Sequence, residues 1–184
     1  MRHHQVLIAA AAVALLSACS DGGSVVNNSL QGCNSISGGG TRTSMSVSPG
    51  CMNCNVAAAA QAIDGQVSSF ATLNMPASSA GSVTLRATAQ SGTVFPAGSP
   101  VGMVHSISYG PSVGLAISLV TYAGGVQQEQ FNFNSGSGSS TQSPDAPGRA
   151  TFNTSRQYDA VELNFTRTGG SGVVEARLHE FCSN

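Results

Sequence analysis

Side chains catalyse when a nucleophile sits beside a base, when two carboxylates flank a bond, or when several ligands close on a metal, and each arrangement leaves a spacing in the sequence. This chain has the residue types without the spacing. Serine is abundant, yet no G-x-S-x-G elbow occurs, and beyond His4 the only imidazoles are His105 and His179. His105 falls inside an apolar strand pattern and His179 beside Glu180 near the end of the chain, so both read as structural. The carboxylates Asp64, Glu129, Asp145, Asp159, Glu162, Glu175 and Glu180 show no interval that singles out a hydrolytic pair. Glycine-rich stretches lack the strand-to-helix setting of a phosphate cradle. The expectation is a protein that is not an enzyme.

The cysteines carry the remaining chemistry, and their environment begins at the N-terminus. Arg2, His3 and His4 precede an uncharged run from Val6 to Leu16, the basic and apolar regions of an export signal and too short for a spanning anchor. Leu16-Ser17-Ala18-Cys19 resembles the lipobox of bacterial lipoproteins. That resemblance implies removal of residues 1–18 as a signal peptide, a diacylglycerol on the Cys19 thiol, and further acylation that makes membrane attachment effectively permanent. Ser20, rather than Asp, implies onward sorting to the outer membrane, with either a periplasmic or a surface-exposed face.

Four more cysteines, Cys33, Cys51, Cys54 and Cys182, form an even set in an exported chain, which reads as two disulfides. Three pairings are open. Cys51-Met52-Asn53-Cys54 could also be a redox pair or half of a zinc site, but no βαβ pattern surrounds it and no second C-x-x-C exists. A bridge from the early group to Cys182 would close a loop worth up to about 4 to 5 kcal/mol in the chain-entropy model.

Removing 18 of 184 residues leaves 166, room for one domain and a tether. All seven basic residues are Arg, and without Arg2 six face eight acids, a net charge near minus two. No basic stripe offers itself to nucleic acid. Residues 19–50 are rich in Ser, Gly and Asn with little apolar periodicity and read as a flexible tether reaching roughly 30 Å. The domain is therefore expected over residues 51–184.

Within it, Val56 to Ile63 is Ala-rich and reads as a short helix or turn stopped by Asp64-Gly65. Period-2 alternation follows in Val83-Leu85-Ala87, Leu115-Ile117-Leu119, Val161-Leu163-Phe165 and Val174-Ala176-Leu178. Shorter strands are expected at Ser68 to Leu73, Val101 to Ser108, Val126 to Phe133 and Ala150 to Thr154. Ala123-Gly124-Gly125 and Thr168 to Gly172 read as hairpin turns, and Ser135 to Gly148 as a polar loop. The fold class is all-β, an antiparallel β-sandwich of jelly-roll type.

Gln61-Ala62-Ile63-Asp64-Gly65 through Thr72 resembles the A-I-D-G segment near the start of discoidin-type, galactose-binding-like domains of the coagulation factor 5/8 C-terminal kind. The stretch Tyr158 to Leu163 with Val174 to Phe181 is similar to their closing strand pair, Cys51 and Cys54 to a C-x-x-C that precedes the segment in related bacterial surface modules, and Phe95-Pro96-Ala97-Gly98 to their F-P-A-G. The resemblance covers about Cys51 to Cys182. It implies a structural calcium held by Asp64, Ser69 and Glu180 through hard oxygen donors. It also implies glycan binding on aromatic rings at loop tips, for which this chain, lacking Trp, offers Tyr109 and Tyr122. The plainer alternative for each residue is a turn cap or a sheet position. Two functions remain: a membrane-anchored, non-catalytic binding module for an envelope or extracellular glycan, or a structural, adhesive lipoprotein that contacts another envelope protein.

Overall fold

Leu163 and Phe165 stand opposite Leu119 and Ile117 on one neighbouring strand and opposite Leu85 and Val83 on the other. In-register alternation of this kind puts a row of apolar side chains on one sheet face, and these residues are buried in the core. Each fully buried Leu or Phe contributes roughly 1.5 to 3 kcal/mol.

The computed structural model describes residues 34–77, 79–110, 112–133 and 147–183; the leader, Cys19, Cys33 and Asp145 lie outside them. In chain order the strands are β1 (Asn34–Ser35), β2 (Arg42–Val47), β3 (Asn55–Ala57), β4 (Ala71–Met75), β5 (Gly81–Thr88), β6 (Pro100–Tyr109), β7 (Gly114–Ala123), β8 (Val126–Phe133), β9 (Gly148–Asn153), β10 (Ala160–Gly169) and β11 (Val174–Ser183). A short 3₁₀ helix, Ala59–Ile63, links β3 to β4. One sheet has the order β3-β4-β11-β6-β9, with β1 also on β11; the other runs β2-β5-β10-β7-β8. All pairings are antiparallel, and the two inner faces share one hydrophobic core. The protein is an antiparallel β-sandwich of jelly-roll type, as its patterning requires.

Two expectations change. The tether does not extend to residue 50, because Asn34–Ser35 pairs with β11 and Arg42–Val47 forms the edge of the second sheet along β5. An edge strand with both faces largely exposed needs no apolar row, so its sequence reads like linker. Thr168 to Gly172 is not a hairpin, since β10 and β11 belong to different sheets and the turn carries the chain across the sandwich. Gly170 there has φ +79°, and a Cβ at this position would overlap the Ser112 carbonyl. Ala123-Gly124-Gly125 does close a hairpin, with both glycines at positive φ as a type I′ turn demands.

Strand β11 holds the middle of the first sheet. Its first half pairs with β4 and its end with β1, both on the same edge, while β6 runs along the other. Between Leu178 and Glu180 the β6 register shifts, a bulge at His179. A bulge re-aims side chains by breaking the strict alternation. Leu178 and Phe181 face the main core, while Cys182 packs with Val104 and Val67 on the opposite face, under the segment that follows the 3₁₀ helix.

Candidate functional site

The A-I-D-G turn is built from its own backbone. Asp64 Oδ1 accepts from the Gln66 N–H at 2.8 Å, the self-capping geometry that makes Asp a turn residue, and Ser69 Oγ donates to Asp64 Oδ2 at 2.6 Å. Gly65 has φ +77°, a conformation that favours glycine. This turn directs the Gly65 N–H to Glu180 Oε2 at 2.9 Å, and Ser35 Oγ donates to Glu180 Oε1 at 2.5 Å. Of the three residues expected as one oxygen cluster, Ser69 bonds to Asp64, while Glu180 meets the same turn through the Gly65 N–H.

Glu180 is fully buried at 0% exposure, and among the described residues no Arg or His bonds to it. Burial pushes its carboxyl up to about 7, with Asp64 adding repulsion, against the pull of the Ser35 and Gly65 hydrogen bonds. A buried carboxylate beside the Ser35 hydroxyl, with Asp64 and its Ser69 hydroxyl on the adjoining turn, offers hard oxygens of the kind a calcium ion takes. No cluster of three or more His, Cys, Asp or Glu occurs among the described residues, so hydroxyl, carbonyl and water oxygens would complete such a shell.

The histidines support the same region from behind. His179 Nδ1 lies 2.8 Å from the Val67 carbonyl, which it reaches as a donor, and its Nε2 lies 3.5 Å from Ser106 Oγ. Burial lowers the pKa of His179, and burial followed by the nearness of His179 lowers that of His105 to about 4. Both are neutral at pH 7. His179 fastens the loop after the A-I-D-G turn to the sheet.

The aromatic platform expected from the sequence is not formed by either tyrosine. Tyr109 is buried in the core at 6% exposure, because its position at the end of β6 falls on the inner face. The ring of Tyr122 is covered by the Arg86 guanidinium, 3.6 Å from its centroid, and its hydroxyl donates to Glu162 Oε1 at 3.0 Å. Arg86 also pairs with Glu162 at 2.9 Å. This triad occupies the outer face of the second sheet and closes the ring to a sugar on that side.

What the sequence did not reveal is a cleft of about 390 Å³ at the same end of the sandwich, lined by Arg42, Gln90, Thr93 and Asp159 with neighbouring loop residues. Its walls are the β1–β2 connection, the end of β5 with the loop beyond it, and the start of β10. Gly124 N–H donates to Asp159 Oδ2 at 2.7 Å, which orients the carboxylate. Phe95 stacks on Tyr158 at 4.8 Å and pairs with it through the backbone, fixing the loop between β5 and β6. Polar residues from three separate stretches of the chain leave no spacing signal.

Of the cysteines, Cys51 and Cys54 are bonded to each other, and Cys182 is also in a disulfide. Cys51 is buried in the core, so the bridge anchors the connection from β2 to β3.

No protein-family model matches the chain, and no curated protein does. Among solved structures, the chain is similar to the family 32 carbohydrate-binding module of Clostridium perfringens NanJ in complex with galactose, at 15% identity over 78% of this chain and 92% of that one, TM-score 0.45. It is also similar to chitosan-binding module 1 of a chitosanase/glucanase from Paenibacillus sp. IK-5, at 16% identity over 82% and 98%, TM-score 0.43. A third likeness is to the enzymatically active domain of tailspike protein 4 of bacteriophage CBA120, at 16% identity over 88% of this chain and 21% of that one, TM-score 0.45.

Proposed function

We propose that this chain is a non-catalytic glycan-binding module, held at a membrane by a lipid on Cys19, whose loop-end cleft receives a neutral sugar. The observation that carries the reading is the composition of the cleft. Arg42 donates only, Asp159 accepts only, Gln90 and the Thr93 hydroxyl do both, and the two charges offset each other. A sugar presents hydroxyls that donate and accept, so it needs this mixture, and a net-neutral lining favours an uncharged ligand. With no aromatic ring in the lining, binding relies on hydrogen bonds and is of modest affinity.

In this reading Asp64, Ser69 and Glu180 hold a structural calcium ion, which would neutralise the buried Glu180 carboxylate. Residues 1–18 act as a lipoprotein signal peptide, and the Ser/Gly/Asn-rich stretch ahead of Asn34 serves as the tether. The envelope face is the outer membrane. Cys19→Ser should abolish labelling of the chain by radioactive palmitate.

A panel of neutral and acidic glycans, followed by calorimetry, tests the ligand. Neutral oligosaccharides should bind, and Arg42→Ala and Asp159→Ala should each weaken binding about tenfold or more, the loss of one or two good hydrogen bonds. Failure of every neutral glycan to bind at millimolar concentration, or binding indifferent to both substitutions, overturns the assignment.

A further inference from the structure

One apolar side chain stands in the wall of the polar cleft. Val94 lines it and is 51% exposed, although the segment that carries it is held on both sides. Before it, the Thr93 N–H donates to the Gln90 carbonyl at 2.9 Å, closing a turn in which Gly92 has φ +88°. After it, Phe95 and Tyr158 exchange both backbone hydrogen bonds, at 2.8 and 3.0 Å, and Tyr158 is fully buried. Phe95 packs against the core, and in extended chain its neighbour points the opposite way, so Val94 is turned out into the cleft. Its β-branched side chain has little rotamer freedom with which to turn back.

A single exposed valine is ordinary on an open surface. In this cleft every other exposed side chain is polar, and among the described residues nothing bonds to the side chains of Arg42, Gln90 or Thr93. Asp159 is the fixed point. Its N–H donates to the Tyr122 carbonyl at 2.8 Å, its carbonyl accepts from the Ala89 N–H at 2.9 Å, and the Gly124 N–H holds Oδ2, leaving Oδ1 to accept from a ligand. Unused donors and acceptors thus surround one fixed aliphatic knob. The CH face of a pyranose calls for a flat ring, which an isopropyl group is too small to replace. A methyl group fits it in size.

We propose that Val94 is the specificity-determining residue of this cleft, and that it selects a neutral sugar carrying a methyl group, as an acetamido or a 6-deoxy sugar does. The inference rests on the reading of the cleft as a sugar site. A hydroxyl placed against Val94 would give up hydrogen bonds to water without replacement, whereas a methyl group there leaves water at a gain. An acetamido group also brings an N–H that a carboxylate accepts and a carbonyl that a guanidinium or amide donates to, so it can use the polar lining as well.

Calorimetry on the full chain with matched sugars tests this. N-acetylglucosamine and N-acetylgalactosamine are each compared with the N-formyl analogue, and L-fucose with L-galactose, so that each pair isolates the methyl group. The methyl-bearing member of the acetamido pairs or of the 6-deoxy pair should bind about fourfold tighter, the transfer of one methyl group from water, and the pair that shows it identifies the source. Val94→Thr keeps the branched shape and should bring that ratio to about one. Equal affinities within every pair, or a ratio that survives Val94→Thr, overturn the proposal and leave the sugar cleft standing. Binding of no sugar at millimolar concentration removes the cleft and the proposal together.

Discussion

The Gly65 N–H donates to Glu180 Oε2 at 2.9 Å across 115 residues of sequence, joining the first loop after the 3₁₀ helix to the bulge of the last strand. One end of this bond is a glycine that the backbone requires at positive φ, the other a carboxylate buried away from the surface.

That carboxylate makes stability depend on pH in the unusual direction for Glu. Its folded value is raised from 4.5 to about 7, so the protonated form is favoured by folding, and the contribution is full below about pH 4.5 and lost as pH climbs through 7. At about 1.4 kcal/mol per unit the loss is at most roughly 3 kcal/mol. Thermal melts in EDTA from pH 4.5 to 8.5 should fall over this window, and Glu180→Gln should flatten the curve. A melting temperature flat over the same window in the unmutated protein would count against the buried charge.

Calcium should reverse that loss. At 100 times its dissociation constant a bound ion adds about 2.7 kcal/mol, visible as a rise of several degrees at pH 8 and absent in Glu180→Gln. Equal melting temperatures with calcium and with EDTA would remove the ion and leave the hydrogen-bonded clasp as the whole site.

Gly65→Ala should cost about 1 to 2 kcal/mol, because the left-handed conformation is strained for any residue with a Cβ while the space itself is open, the nearest atom being Ser37 Oγ at 3.5 Å. Chemical denaturation measures it. A neutral result would mean that the turn re-forms without positive φ.

Arg167 is buried at the opposite end, its Nη atoms donating to the carbonyls of Gly170, Gly172, Met75 and Pro76 at 2.7 to 3.4 Å. Arg167→Ala should lower stability by about 2 to 4 kcal/mol, and Arg167→Lys should recover little, since an ammonium cannot span the fork of acceptors. Full rescue by Lys would show that charge, not geometry, holds these loops.

Peptide mapping without reductant should return a Cys51–Cys54 peptide and one joining Cys182 to Cys33, the partner left once Cys19 is lipidated. Cys182→Ser should destabilise more than Cys54→Ser, because closing a loop of over 100 residues is worth about 4 to 5 kcal/mol in the chain-entropy model and closing a four-residue loop about 2. The reverse order would place the Cys182 bond elsewhere.

The sequence by itself determined the inner faces: every strand with clean period-2 alternation, such as Val161-Leu163-Phe165, packs as its pattern requires, because burial of one face depends only on side-chain order. The Asp64–Ser69 hydrogen bond is likewise local, made within one short segment by its own turn chemistry. Tertiary structure decided what depends on neighbours. Alternation from Val174 would send Glu180 inward, and the bulge at His179 turns it outward under the A-I-D-G loop. Tyr109 is lost to the core and Tyr122 to Arg86, contacts fixed by strand register rather than by residue type. The edge strand β2 is recognised only by its pairing with β5, and the cleft of Arg42, Gln90 and Asp159 is made of polar residues far apart in the chain that only the closing of two sheets brings to one end.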